Sequence, residues 1–169
     1  MMQKVIIIGC PGSGKTTFAE KLNQITGLPL YYLDAIWHKP DKTHVSREDF
    51  DKSISEIFNT PEWIIDGNYN RTIEMRIQQC DTVFLFDLPT EVCIQGAIDR
   101  LCKERYDLPW IEKELSLSFK QTIEEFPHNS LPKIYGLIEK YSIDKQIIIF
   151  RSRKDVDNWL DEYDSTLRR

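Results

Sequence analysis

The stretch Gly9-Cys10-Pro11-Gly12-Ser13-Gly14-Lys15-Thr16 constrains the chain more than any other. It satisfies the pattern G-x-x-x-x-G-K-[ST]. The β-branched run KVIII (4–8) precedes it, and Phe18, Leu22 and Ile25 follow at helical spacing. A strand, a glycine loop and a helix in that order make a phosphate cradle. The glycines let the backbone curl so that successive N–H groups point inward, and the helix start adds the positive end of its dipole. Gly9, Cys10, Pro11, Gly12, Ser13, Gly14, Lys15, Thr16 and Thr17 are therefore expected to hold the phosphates of a nucleotide. Lys15 is expected on the β/γ-phosphates and the Thr16 hydroxyl on Mg²⁺. Cys10 fills a variable loop position. It is expected to be passive rather than catalytic, with a helix N-terminus lowering its thiol pKa and oxidation sensitivity as the side alternative.

Strand and helix signals alternate along the rest of the chain. LYYL (30–33) reads as a second strand ending at Asp34, after Gly27 and Pro29 stop the first helix. Ser46 offers a helix N-cap with Asp49 three positions on, and Phe50, Ile54, Ile57 and Phe58 supply that helix's apolar face. WIID (63–66) is a third strand, with a short helix expected over 72–79. TVFLFD (82–87) is a fourth, and a long helix from Thr90 carries Val92, Ile94, Ile98 and Leu101. Residues 109–141 read as helical, broken near Pro127 and restarted at Ser130. QIIIF (146–150) is a fifth strand, and Val156, Trp159 and Leu160 mark a closing helix. This order predicts an α/β fold: a five-stranded parallel sheet flanked by helices, with right-handed crossovers, in one domain over 1–169. In such sheets ligands bind beyond the C-terminal strand ends. Asp34, Asp66, Asp87 and the glycine loop all fall on that edge.

Bulk properties narrow the class further. A net charge of −5 and pI near 5.3 argue against direct nucleic-acid binding, which needs a phosphate-neutralising basic face. Apolar runs such as VIII (5–8) and IIIF (147–150) are far too short to span a bilayer. The N-terminus lacks the pattern of a signal peptide, so a cytoplasmic location is expected. Cys10, Cys80, Cys93 and Cys102 show no CxxC or Cys/His spacing, which fits reduced thiols.

A phosphate loop serves switches, motors and transferases alike. A small GTPase needs a DxxG switch and an [NT]KxD motif, whereas here Asp66 is followed by Gly-Asn-Tyr and the late strand leads into RSRKD. A large motor needs more chain for its sensor and lid domains. A compact phosphotransferase remains, whose chemistry is positioning and charge neutralisation. Lys4 to Thr17, WIIDGNYNRT and DTVFLFDLP resemble the nucleoside and nucleotide kinase group of P-loop NTPase folds. DGNYNRT has one residue more than the DGFPRT of adenylate kinases. YYLDAIWHKP, WIIDGNYNRTIEMRI, DTVFLFDLP and IIIFRSRKDVDNWL together resemble the adenylate-kinase-like family labelled DNA topology modulation proteins, over about nine-tenths of the chain by our reading. The lid region departs from that family's pattern, with Gly96 where a basic residue is common and Tyr106–Trp110 in place of an arginine-containing insert.

The resemblance implies ATP and Mg²⁺ as partners, a short helical lid, and γ-phosphoryl transfer to a nucleoside, nucleotide or other small acceptor. The alternative is a nucleotide-binding regulator, DNA-associated as the family label implies, with little turnover. Segment 35–61 is expected to bind the acceptor and 100–130 to form the lid. Arg100 is expected on the phosphates and Arg105 as a second candidate, against the plainer role of a solvated charged face. Asp34 resembles an acid that orients or deprotonates an acceptor hydroxyl, with a turn or cap aspartate as the alternative. Asp66 is a candidate for Mg²⁺ or a substrate group. Arg71 is a candidate for gripping the acceptor, or for pairing with Glu74 at i+3. Trp37 and Tyr69 could wall a planar acceptor, with core packing favoured for Trp37. Asp87 is the better fit to strand-end capping. Arg151 and Arg153 resemble the segment beside the adenine in adenylate kinases.

Overall fold

The computed structural model describes residues 2–167. The first strand, β1 (Lys4–Gly9), is fully buried from Val5 to Ile8, as expected of a strand covered on both faces. It lies at the centre of a five-stranded sheet ordered β2-β3-β1-β4-β5, in which β2 is Leu30–Tyr32, β3 Trp63–Asp66, β4 Thr82–Phe86 and β5 Gln146–Phe150. Every pairing is parallel. The register aligns Tyr32 with Asp66, Asp66 with Ile7, and Gly9 with Phe86, so the strands end together on one edge. The expected sheet is the observed one.

Glycine chemistry sets both ends of α1 (Lys15–Thr26). Gly14 precedes it at φ 99°, and Gly27 follows at φ 73° with its N–H donated to the Asn23 carbonyl. Phe18 on this helix meets Phe84, Phe86, Phe150 and Trp159 edge-on, with ring centroids 4.8–5.7 Å apart. Trp159 belongs to the closing helix α8 (Arg153–Leu167), so one aromatic cluster joins α1, the sheet and α8. The remaining helices are α2 (Leu33–Trp37), α3 (Arg47–Phe58), α4 (Asn70–Gln79), α5 (Thr90–Asp99), α6 (Leu117–Asn129) and α7 (Leu131–Tyr141). Ser46 caps α3 as anticipated: its Oγ accepts the Asp49 N–H at 3.0 Å, and its hydroxyl donates back to the Asp49 carboxylate at 2.7 Å. No helix of the described residues is long and apolar enough to cross a membrane.

Three local expectations are corrected. Leu33 does not end the second strand but opens the short α2, and it packs beneath Gly67, where an added Cβ would lie 2.9 Å from the Leu33 Cβ. Residues 109–116 are irregular rather than helical. Pro109 supplies no N–H there, Cys102 sits at φ 60° with its N–H on the Glu112 carbonyl, and Arg105 ties Asp107 to Glu112 across the turn. A helix starts only at Leu117, after Ser116, whose hydroxyl accepts the Phe119 N–H at 3.2 Å. Pro127 lies inside α6, and the interruption falls at Ser130. The carbonyl four residues before Pro127, that of Ile123, accepts instead from the buried Cys10 thiol at 3.9 Å.

Gly96 has a steric reason. A Cβ there would come within 2.0 Å of the Gly12 carbonyl oxygen, and a Cβ on Gly12 would lie 2.1 Å from the Cys93 carbonyl oxygen. Helix α5 thus lies directly on the loop's backbone. Gly136 in α7 has nothing within 4 Å of its added Cβ. Gly96→Ala is expected to destabilise the fold by about 1–3 kcal/mol through overpacking. Gly136→Ala is expected to stabilise it by roughly 0.5–1 kcal/mol through helix propensity. Urea denaturation of the two variants checks both signs.

Candidate active site

A cleft of about 940 Å³ opens along the C-terminal edge of the sheet. Its floor is the glycine loop, where Pro11, Gly12, Gly14, Lys15, Thr16 and Thr17 face the space. Gly9 stands at φ 142° with an added Cβ only 2.4 Å from the Phe86 carbonyl oxygen, so no other residue fits. Gly9, Cys10 and Ser13 lie beneath the loop surface rather than along the cleft. The buried Cys10 thiol fits the passive role and not the side alternative of oxidation sensitivity. Its hydrogen bond with Cys93 and its burial push its pKa up, and the nearby Lys15 charge only partly opposes them.

Asp66, at the end of β3, is buried beside the loop. One carboxylate oxygen accepts the Thr16 hydroxyl at 2.8 Å, while Oδ1 is buried without a hydrogen-bond partner. Burial raises its pKa to about 6, although the Lys15 charge and the Thr16 bond pull the other way. Lys15 is buried as well and donates to the Cys10 carbonyl at 2.8 Å; burial lowers its pKa and the Asp66 charge opposes that shift. A hydroxyl and a carboxylate with one open oxygen are hard oxygen ligands of the kind Mg²⁺ takes, whereas backbone N–H groups at a helix start suit phosphate oxygens.

The turn after β3 was read as charge-bearing, and its larger role is to brace the loop. The Asn68 amide accepts the Gly9 N–H at 2.9 Å and donates to the Gly9 carbonyl at 2.7 Å. Gly67 takes φ 136° and Tyr69 φ 43°, an unusual left-handed pair. Arg76 on α4 holds that shape from below. It is fully buried and donates to the Gly67 carbonyl at 2.8 Å, to the Asn68 carbonyl, and to the Thr72 hydroxyl at 3.2 Å. Desolvation lowers its pKa to about 9, with the Asp66 charge opposing. Neither Asn68 nor Arg76 was singled out from sequence. Arg76 carried a signal, since it falls on the buried face that Ile73 and Ile77 define.

Of the other sequence candidates, Asp34, Tyr69, Arg100, Arg105 and Arg153 line this cleft. Asp34 accepts the Tyr69 hydroxyl at 2.7 Å. Arg100 lies 3.5 Å from Glu112 and over the Phe119 ring at 5.1 Å; burial and the Arg105 charge lower its pKa. Arg105 is clamped by Asp107 and by Glu112 at 2.7 Å. Burial works against its charge, but those acids outweigh it and raise its pKa. Segment 100–130 roofs the cleft, whereas of segment 35–61 only His38 reaches it.

Arg71, Trp37, Asp87 and Arg151 are placed elsewhere. Arg71 forms a two-pronged pair with Asp51, both bonds 2.7 Å, beside a separate hollow of about 250 Å³ lined by Trp37 and Phe50. Its expected i+3 partner Glu74 binds Lys140 and Tyr141 instead. Trp37 stacks on His44 at 4.4 Å and packs against Phe50, the plainer of its two roles. Asp87 accepts the Tyr135 hydroxyl at 2.6 Å. Arg151 contributes its backbone N–H to Asp155, and its side chain is absent from the cleft lining, where Arg153 stands instead.

The raised Asp66 pKa carries a stability consequence with a definite sign. Because its folded value of about 6 lies above its ordinary value of 3.8, its contribution is fully present below 3.8 and is lost as pH rises through about 6. Ionised Asp66 therefore costs on the order of 3 kcal/mol at pH 7.5. Asp66→Asn is expected to raise the melting temperature of the nucleotide-free protein by several degrees at pH 7.5 and by about a third as much at pH 4.5. Calorimetry at the two pH values measures the difference.

No protein-family profile matches the chain. A stretch of 89 residues, 52% of the chain, is 30% identical to the adenylate kinases of Thermotoga petrophila and Thermotoga maritima. That stretch spans only 40% of those curated relatives' length. Among solved structures, a sugar kinase from Janibacter sp. HTCC2649 superposes with a TM-score of 0.56 at 18% identity, covering 99% of this chain and 95% of that one. Shikimate kinase from Bacteroides thetaiotaomicron gives the same TM-score of 0.56 at 14% identity, with both chains covered completely. The architecture is the fold of those two solved kinases, a five-stranded parallel sheet flanked by helices with a phosphate loop after its first strand.

Proposed function

We propose that the protein is an ATP-dependent kinase that phosphorylates a hydroxyl group of a small molecule. The observation that carries this reading is the arrangement across one cleft: Thr16 and the half-satisfied Asp66 stand beside Lys15 on the loop, and Asp34 faces them with its carboxylate oriented by Tyr69. The loop N–H groups and Lys15 bind the β- and γ-phosphates, and Thr16 and Asp66 would hold Mg²⁺. When bound, that ion neutralises phosphate charge and fixes the phosphate geometry.

In the transfer, the acceptor oxygen forms a bond to the γ-phosphorus while its proton passes to Asp34. The bond from the γ-phosphorus to the bridging oxygen breaks, and its electron pair leaves with ADP. Arg100 stands on the roof where charge builds on the transferring group, and Arg105 is held in reserve by Asp107 and Glu112. Tyr69 acts as a positioning residue for Asp34. Arg71 and the Arg151 side chain take no part, because both stand outside the cleft.

An ADP-release screen over small hydroxyl compounds, run beside Lys15→Ala, tests the reading. The expected outcome is acceptor-stimulated turnover that Lys15→Ala abolishes. Asp34→Asn should lower kcat about 10²–10⁴-fold with the KM for ATP little changed, as loss of a general base does. ADP formation that no acceptor stimulates would reduce the protein to a slow ATPase.

A further inference from the structure

Two arginines on the roof share one carboxylate oxygen. Glu112 Oε2 lies 2.7 Å from the Arg105 guanidinium and 3.5 Å from Arg100 Nε. The two cations are held very unequally. Arg105 places its other donors on the buried Asp107, one of them at 2.9 Å, so all three of its nitrogens end on carboxylates. Arg100 has only the longer contact, and its Nε is buried with no hydrogen-bond partner. Burial and the charge of Arg105 lower its pKa, and of the acids that oppose this shift Glu112 acts most strongly, ahead of Asp107 and Asp34. Its guanidinium otherwise rests over the Phe119 ring at 5.1 Å. Arg100, Arg105, Asp107 and Glu112 all line the cleft.

The roof thus balances its own charge, two arginines against two acids, and Arg100 is the member free to leave. The backbone of Glu112 is pinned, because the Cys102 N–H donates to its carbonyl at 2.7 Å. Its carboxylate therefore stays with Arg105 when Arg100 moves, and no buried charge is stranded. A terminal phosphate carries more than one negative charge and three acceptor oxygens. An arginine fork grips such a group better than it holds one long contact to a carboxylate. Glu112 and a phosphate brought under the roof are rivals for the same cation.

We infer that Glu112 is a positioning residue for Arg100: it holds this cation until a γ-phosphate draws it away, so the roof responds to a nucleoside triphosphate and not to the diphosphate. This rests on the kinase reading, in which Arg100 meets the transferring group, and adds what controls that contact. A diphosphate lacks the group that competes with Glu112 and leaves the contact in place. Once the phosphorylated product departs, Arg100 returns to Glu112 and the roof is reset.

The test is equilibrium binding to the full-length protein with Mg²⁺, by calorimetric titration with ADP and with the non-hydrolysable ATP analogue AMP-PNP. Glu112→Gln removes the competing charge while keeping the side chain's length. It is expected to lower the Kd for AMP-PNP by about threefold or more and to leave the Kd for ADP within about twofold. In an Arg100→Ala background the gain is expected to vanish, since the contested cation is gone. Glu112→Asp, whose carboxylate is drawn back by one methylene, is expected to shift AMP-PNP binding in the same direction and replaces the Gln variant if that one does not fold. An unchanged or weaker Kd for AMP-PNP in the folded variant overturns the inference, because Glu112 then supports Arg100 rather than withholding it. An equal gain for ADP, or a gain that survives without Arg100, overturns it as well, since either is a general effect of removing a negative charge. Wild-type protein that binds neither nucleotide overturns the kinase reading itself.

Discussion

The main chain of the glycine loop runs in contact with its neighbours on two sides, and the site depends on that closeness. Gly9 passes the carbonyl of Phe86 where no side chain fits, and Gly12 meets Gly96 and the Cys93 carbonyl in the same way. Backbone against backbone leaves no slack for the loop to collapse into. The N–H groups are therefore preset before anything binds, which is how a site stabilises charge without reorganising. The parallel register then fixes what stands beside the loop, because Asp66 aligns with Ile7, two residues before Gly9.

A carboxylate and an ammonium buried together at this point cost desolvation that their mutual attraction offsets only in part, as the opposing shifts of Asp66 and Lys15 express. The fold bears the cost through the structure underneath. Arg76 replaces water at the carbonyls of the Gly67–Asn68 turn, and Asn68 carries that order to Gly9 by two hydrogen bonds. A helix, a turn and the loop are thus joined by one chain of polar contacts. The left-handed backbone of Tyr69 is retained in the same turn, next to the glycine loop.

Much of this architecture was legible in the sequence. Short apolar runs identified all five strands, and the glycine-lysine motif located the loop, because both depend on local chemistry. Asp34 was placed on the ligand edge by strand order, and Arg100 and Arg105 by the resemblance to kinases with a lid after the fourth strand; all three line the cleft. What escaped was determined by partners distant in the chain. Nothing near Arg71 announces that Asp51, twenty positions earlier, turns it outward. The irregular stretch before Ser116 is held by Arg105, Asp107 and Glu112, whose helix-compatible residue types conceal an ion-paired turn. Asn68 reads as a turn former, and only the fold shows which strand end its amide meets. Gly96 looked like a missing basic residue, whereas it is a space requirement.

The single proline inside α6 ties two distant parts of the molecule. By withholding one donor from the helical ladder, Pro127 leaves the Ile123 carbonyl available, and the thiol of Cys10 in the phosphate loop takes it. The same helix begins with Ser118, Phe119 and Thr122 on the roof of the cleft. One thiol–carbonyl contact therefore joins the phosphate loop on the floor of the cleft to the helix that forms part of its roof, apart from the sheet.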